Sequence, residues 1–243
     1  MNVIDSNFNI IFPPIPNIRE HIFNLENDLS LFFPKPFNLI PLPNEAPAEI
    51  PRITATSHHG FSNLAISLNS AQFITSFSDD YSSDWSKCID YIYTHVGHIY
   101  AILKPKFNGK PSYCGLTVNF VHKVEDGDAI SLLLKNFIKN ISSPPPYDLL
   151  VKQTYVIEDE YYVNVQIQNQ RLVKNQSIPI GHLSEFEHRD LIGISLDIND
   201  RYGFNYTPSY YSDDEKIASV FRLTNKVVSE KLGKFVTEGV LEI

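Results

Sequence analysis

At 243 residues, with 43% hydrophobic and 20% charged side chains, the chain is long enough and apolar enough to bury a substantial core. Its 28 acidic and 20 basic residues give a formal charge of −8, which argues against a broad non-specific nucleic-acid surface, because phosphate neutralisation needs clustered Lys and Arg. No apolar run approaches the ~18 residues that span a bilayer and no basic-then-apolar leader pattern opens the chain, so a cytoplasmic location without membrane contact is expected.

Residues 1–17 combine Pro with Asn and predict an extended arm. Ile18 to Leu25 alternates imperfectly and predicts a strand. From Pro34 to Pro51 prolines interleave with Phe37, Leu39 and other apolar residues. That pattern excludes a regular helix and favours a packed irregular connection over a proline-rich ligand for a partner domain. Three short strands follow, in Arg52 to His58, Asn63 to Asn69 and Gln72 to Ser78, and their alternation is that of a half-buried antiparallel meander. Trp85, Cys88, Ile89, Ile92, Val96, Ile99 and Leu103 then fall on one helical stripe. The spacing predicts a helix over about 84–103, capped by Asp84 or Ser83 and stopped by Pro105.

A second series begins after the turn-forming stretch around Gly109. Tyr113 to Val124 predicts a long strand, and Ile130 to Ile141 a helix capped by Asp126 or Asp128. Leu149 to Asp159 and Tyr161 to Leu172 form the clearest hairpin, with Glu158, Asp159 and Glu160 near its tip. Residues 174–190 are polar and read as loop. Leu191 to Ile198 is a buried strand, followed by a Tyr-rich loop and an amphipathic helix over about 213–236. Ser212 and Glu215 have the spacing of a capping box. This series predicts an α+β fold of two similar halves, each an antiparallel sheet covered by a long amphipathic helix. The boundary falls at 1–108 and 109–243, within one compact unit, as an internal duplication would give.

Cys88 lies on a helical stripe and Cys114 opens a strand, so both are expected to be buried, reduced thiols. GxGxxG, P-loop, GxSxG, HExxH and CxxC patterns are missing, and no catalytic residue, cofactor or metal is expected. His58 and His59 end a strand, His122 lies in another, and His182 and His188 flank Glu185 and Glu187. These five are the candidates for a pocket or metal site, since imidazole and carboxylate are the relevant ligand types, although a solvated loop accounts for the last cluster. His95 and His98 read as surface or boundary histidines. Asp197, Asn199 and Asp200 start like a calcium loop, but its sixth and twelfth positions hold Tyr202 and Pro208, so a turn after a strand explains them. Tyr202, Phe204, Tyr206, Tyr210 and Tyr211 crowd the loop before the last helix. Aromatic loops either pack on their own domain or cover a partner at low entropic cost.

The stretch IPRITATSHHGFSNLAISLNSAQFITSFSDDYSSDW, the strand GLTVNFVHKVED and the late strand LIGISLDI before a long helix resemble a sporadically distributed bacterial family of uncharacterised proteins of roughly this length. The likeness is one of hydrophobic pattern across most of the chain. It implies no catalytic residues. Sporadic distribution implies an accessory role, such as bacterial defence or toxin neutralisation.

The leading expectation is therefore a non-enzymatic protein-interaction module, binding a partner or itself through Tyr202, Phe204, Tyr206, Tyr210 and Tyr211. The alternative is a small-molecule-binding or hydrolytic domain with a pocket between sheet and helix. A nucleic-acid role is third, and would need Lys104, Lys106, Lys110 and Lys123 to converge on one face.

Overall fold

One nine-stranded antiparallel sheet runs through the whole molecule in the computed structural model, which describes residues 1–43, 45–107, 109–124, 128–139, 143–173 and 188–243. The strands are β1 (Asn2–Ile11), β2 (Asn38–Leu39), β3 (Ile53–Thr56), β4 (Ser62–Ile66), β5 (Ser70–Ser76), β6 (Tyr113–Lys123), β7 (Leu150–Ile157), β8 (Tyr161–Val173) and β9 (His188–Asn199). Their order in space is β2-β3-β4-β5-β1-β6-β9-β8-β7. The helices are α1 (Ile22–Asp28), α2 (Asp79–Ser82), α3 (Trp85–Leu103), α4 (Ala129–Phe137), α5 (Arg201–Tyr206), α6 (Asp214–Lys226) and α7 (Leu232–Glu238).

Two separate sheet-plus-helix halves do not form. The stretch expected to be an extended arm supplies β1, which pairs with β5 on one side and β6 on the other. That strand welds the meander to the later strands, so every strand among the described residues belongs to one sheet. Its sequence hides it for two reasons. Asn2, Asn7 and Asn9 are poor strand formers. Between Val3 and Asp5 the register against β6 shifts by one residue, which breaks the period-two pattern. Exposed Ile4 occupies that bulge.

The Ile18 to Leu25 stretch is not a strand. It forms a 3-10 turn (Ile18–His21) leading into α1, and buries Ile18, Ile22, Leu25 and Leu29. The proline-rich connection packs as expected. Phe33 and Phe37 are buried, Asn38 and Leu39 pair with β3, and beyond that short ladder two arginines hold its carbonyls. Arg19 Nη2 donates to the Ile40 and Leu42 oxygens at 3.1 and 2.8 Å. Arg52, 1% exposed, donates to Ile50, Ala46 and Pro47. Carbonyl partners satisfy a buried guanidinium that would otherwise be costly.

Helices α3, α4, α6 and α7 lie on one face of the sheet. Phe8 stacks on Phe221 with ring centroids 5.7 Å apart, Trp85 lies 5.8 Å from Phe120, and Phe137 meets Phe235 at 5.0 Å. α3 and α6 run side by side, with Tyr93 against Phe221 and Trp85 Nε1 donating to Asn225 Oδ1 at 2.8 Å. Asp84, Asp128 and Asp213 cap α3, α4 and α6 through backbone N–H groups three residues on. The cap of α6 is thus Asp213. Ser212, expected in a capping box, is buried and donates to Cys114 Sγ at 3.2 Å. A π-helical turn (Val227–Lys231) joins α6 to α7.

The other face of the sheet is lined by amides and hydroxyls. Asp197 accepts from Thr117 Oγ1, Asn164 Nδ2 and Asn199 Nδ2 at 3.1, 2.9 and 2.8 Å, and Asn164 accepts from Thr154 at 2.8 Å. One hydrogen-bond ladder thus crosses β6, β9, β8 and β7. Asp197 and Asn199 are strand residues, rather than the turn their spacing suggested. Both cysteines are buried and free. No helix among the described residues is long and apolar enough to cross a membrane.

Candidate functional site

The chain leaves β9 at Asn199, and its next residue anchors everything that follows. Asp200 is fully buried. Its Oδ1 accepts from the Cys114 N–H at 2.7 Å, and its Oδ2 accepts from the Tyr210 hydroxyl at 3.0 Å. Burial pushes the Asp200 carboxyl up, while the Cys114 amide and the Ser212 and Tyr210 hydroxyls pull it down. The Tyr210 hydroxyl lies 2.9 Å from Glu160 Oε1 as well, and Lys216 pairs with that same oxygen. One phenolic proton therefore faces two carboxylates. Burial and those two carboxylates hold the Tyr210 phenol far above its ordinary range. The ring lies so close to Gly203 that a Cβ there would come within 2.5 Å of it. Burial also raises the Cys114 thiol, which sits beneath Ser212, and lifts Cys88 to about 11, so neither is a poised nucleophile.

With this anchor fixed, α5 presents its rings outward. Tyr202 and Tyr206, four apart on the helix, both meet rings at the end of the sheet. Tyr202 lies 5.2 Å from Tyr162 of β8, and Tyr206 lies 4.5 Å from Tyr202. Phe204 turns the other way, 5.4 Å from Tyr113, whose ring also carries the Arg201 guanidinium at 5.4 Å. Tyr206 is 66% exposed and Phe204 42%. Tyr211 carries Lys110 Nζ 3.4 Å from its ring centre. The five aromatics singled out in the sequence thus divide. Exposed Phe204 and Tyr206 form a ledge with half-buried Tyr202, Tyr211 is covered by a lysine, and Tyr210 is a structural tie.

Beside the ledge, the tip of the β7–β8 hairpin and the 207–213 loop enclose a polar crevice of about 500 Å³. Glu158, Asp159, Glu160 and Asp213 line it, with Lys216 as the basic residue among its lining groups. Glu158 and Asp159 both hold left-handed backbone, with φ of 56° and 51°, at the centre of the turn closed by the Glu160 N–H donating to the Ile157 oxygen.

The histidine candidates whose side chains are described do not come together. His58 and His59 are exposed in the β3–β4 turn, and His58 Nε2 lies 3.4 Å from the Ser30 oxygen. His122 is half-buried near the far end of β6, opposite Ile192. His182 lies outside the described residues, and only the backbone of His188 is described, at the start of β9. No group of three or more His, Cys, Asp or Glu among the described residues is arranged to hold a metal. His95 is buried, not at the surface. It stacks on Phe73 at 5.4 Å and contacts Tyr91 and Phe32. Its Nδ1 lies 2.8 Å from the Tyr91 carbonyl, so that nitrogen carries the proton. The four lysines do not converge. Lys104 pairs with Asp214, Lys106 donates to Ile102, and Lys110 covers Tyr211. Lys123 stands at the far end of β6, ~34 Å from Tyr113 at the rise of an antiparallel strand.

A second concavity of about 280 Å³ lies between the sheet and the α2–α3 region, with His59 on its rim. It was not legible as a site, but its floor left a signal in the sequence. Ser62 and Thr75 occupy the buried phase of β4 and β5, where Leu64, Ile66, Ala71 and Phe73 hold the neighbouring positions.

No family model matches the chain, and no curated protein matches it.

Proposed function

We propose that this chain is a cytoplasmic protein-docking module that recognises a basic partner at the β8–β9 end of its sheet. The observation that carries the reading is the juxtaposition there of an exposed aromatic ledge and an acidic crevice. Tyr202, Phe204 and Tyr206 offer rigid ring area, which is the usual anchor of an interface. Glu158, Asp159 and Asp213 offer acceptors to an incoming Lys or Arg, and the net charge of −8 steers a basic partner toward the surface. The reduced, buried Cys88 and Cys114 favour a reducing compartment. A toxin-neutralising role within a bacterial defence system fits this surface, with a cationic protein whose working face the ledge covers.

The test combines the native mass of the purified protein, a gentle pull-down from its host, and binding by the captured partner. Tyr206→Ala and Tyr202→Ala should each weaken binding about tenfold or more, with melting temperature nearly unchanged. Asp159→Lys should slow association and flatten its salt dependence. A strict monomer that captures no basic partner, or a Tyr206→Ala protein that binds like wild type, would overturn the reading.

A further inference from the structure

The concavity between β4, β5 and α3 has the lining of a small-ligand site, and it lies on the other side of β1 from the aromatic ledge. Its walls are rings: Phe61, Phe77, Tyr81 and Tyr91. Phe61 and Tyr81 are 51% and 43% exposed, so the mouth is open to solvent and edged with aromatic surface. The floor is polar and deep. Ser62 is fully buried and Thr75 is 2% exposed. Ser62 Oγ lies 3.0 Å from Thr75 Oγ1 and 2.9 Å from the Tyr91 hydroxyl. The row continues across the sheet to Ser6, opposite Thr75 on β1, whose buried hydroxyl has no partner among the described residues.

Proton counting defines what the floor can bind. Three hydroxyls carry three protons, and the two contacts among them use two. Whichever way the chain runs, one O–H remains without an acceptor among the described residues. A ligand that brings an acceptor can pair with that remaining O–H, whereas one without an acceptor leaves it unmade. The side chains lining the cavity include no Asp, Glu, Lys or Arg. An ionic ligand would find no counter-charge there. The volume matches about nine waters, enough for one or two fused rings and too little for a nucleotide or an extended lipid. Ring walls favour a planar occupant through offset or edge-to-face contacts.

We propose that this cavity is a binding site for a neutral, planar heteroaromatic of one or two rings that presents a carbonyl or ring-nitrogen acceptor to the one hydroxyl left free in the Ser62–Thr75–Tyr91 floor. The class includes free nucleobases and pyridine carboxamides.

The test is ligand-observed NMR with saturation titration on the full chain, using adenine, uracil and nicotinamide as probes, and indole as a planar ring without an acceptor. At least one acceptor-bearing probe should bind with Kd below about 1 mM, and indole about tenfold more weakly. Phe61→Ala and Tyr81→Ala remove exposed walls rather than core, so the fold should persist. Each should weaken the bound probe about tenfold. Saturable binding lost in both variants supports the site. Any of three results overturns it: no probe saturating below about 1 mM, indole binding as well as the best probe, or affinity unchanged in both variants.

Discussion

Tyr210→Phe removes a single oxygen, and its consequences follow from where that oxygen sits. The hydroxyl donates toward Asp200 Oδ2 and Glu160 Oε1, 3.0 and 2.9 Å away. Hydrogen bonds to charged acceptors contribute about 1.5–3 kcal/mol. Asp200 keeps the Cys114 amide, and Glu160 keeps Lys216, so the loss should stay within that range instead of reaching the cost of an unpaired buried charge. For a chain of this size each kcal/mol moves the melting temperature by about 2–4 °C, which predicts a fall of about 3–12 °C. The pH dependence is a sharper check. The Tyr210 hydroxyl lowers the Asp200 pKa, opposing the rise that burial causes. Without it the folded-state pKa climbs further above the unfolded value. A group with a raised folded pKa contributes stability below the unfolded pKa and loses it as pH rises through the folded one. The variant's deficit should therefore be largest near neutrality and shrink on acidification, as Asp200 takes up its proton and no longer needs the donor. Thermal melts of both proteins from pH ~4 to ~8 read this directly. A deficit below about 1 °C at pH ~7, or one that grows on acidification, would refute the assignment of Tyr210 as the tie between these carboxylates.

His95 predicts the opposite slope. Burial lowers its pKa, with the nearby His98 adding to the effect against the opposing Tyr91 hydrogen bond, so the neutral ring is the form that folds. Stability from this group should be complete above its unfolded pKa of ~6.5 and be lost as pH falls through the lower folded value. His95→Phe should reduce the slope of unfolding free energy below pH ~6.5 by up to about 1.4 kcal/mol per pH unit, measured by urea titration at several pH values. An unchanged slope would mean that the imidazole is solvated. Asp159→Gly relieves a left-handed backbone that costs an L-residue about 1–2 kcal/mol, less the chain entropy glycine loses on folding. It should raise the melting temperature by about 1–4 °C in the same melts, and a fall would assign the Asp159 carboxylate a stabilising contact.

The legible parts of this fold are those whose signals are local. α3 announces itself by a stripe from Trp85 to Leu103 and a cap at Asp84, and the β7–β8 hairpin by two alternating runs around Glu158 and Asp159. The division into halves failed because it depended on pairings between distant residues. β1 pairs with residues about 70 and 110 positions away, and no local pattern records that Asn7 faces Ile74 on one side and Thr117 on the other. The aromatic loop shows the same limit at the level of single side chains. From sequence, Tyr202 and Tyr210 are equivalent exposed rings. In the fold, Tyr202 meets Tyr162 on the surface while Tyr210 is claimed by Glu160, 50 residues earlier. Ser212 differs from Asp213 for a similar reason. Cys114, 98 positions away, takes the Ser212 hydroxyl, and the cap of α6 passes to its neighbour.

That division of labour within one loop bears on how tightly the ledge can bind. An interface formed by a floppy aromatic segment must order its rings on binding, at about 0.5–1.5 kcal/mol for each immobilised side chain. Here the ordering is done on folding. Asp200 fixes the chain as it leaves β9, Tyr210 fixes it again ten residues later, and the close fit of Tyr210 against Gly203 holds α5 between those two points. Tyr202 is then braced by Tyr162 and Tyr206 by Tyr202, so the exposed rings have their geometry before a partner arrives. The anchors of the ledge, Asp200, Gly203 and Tyr210, are consequently not the residues that would touch the partner. Loss of Tyr210 should loosen the presentation of Tyr202 and Tyr206, whereas loss of Tyr206 should remove contact area and leave the anchor intact. The two substitutions would then act on binding through each other: once Tyr206 is absent, loosening the anchor has less left to disturb, and a double-mutant cycle would show a combined effect smaller than the sum.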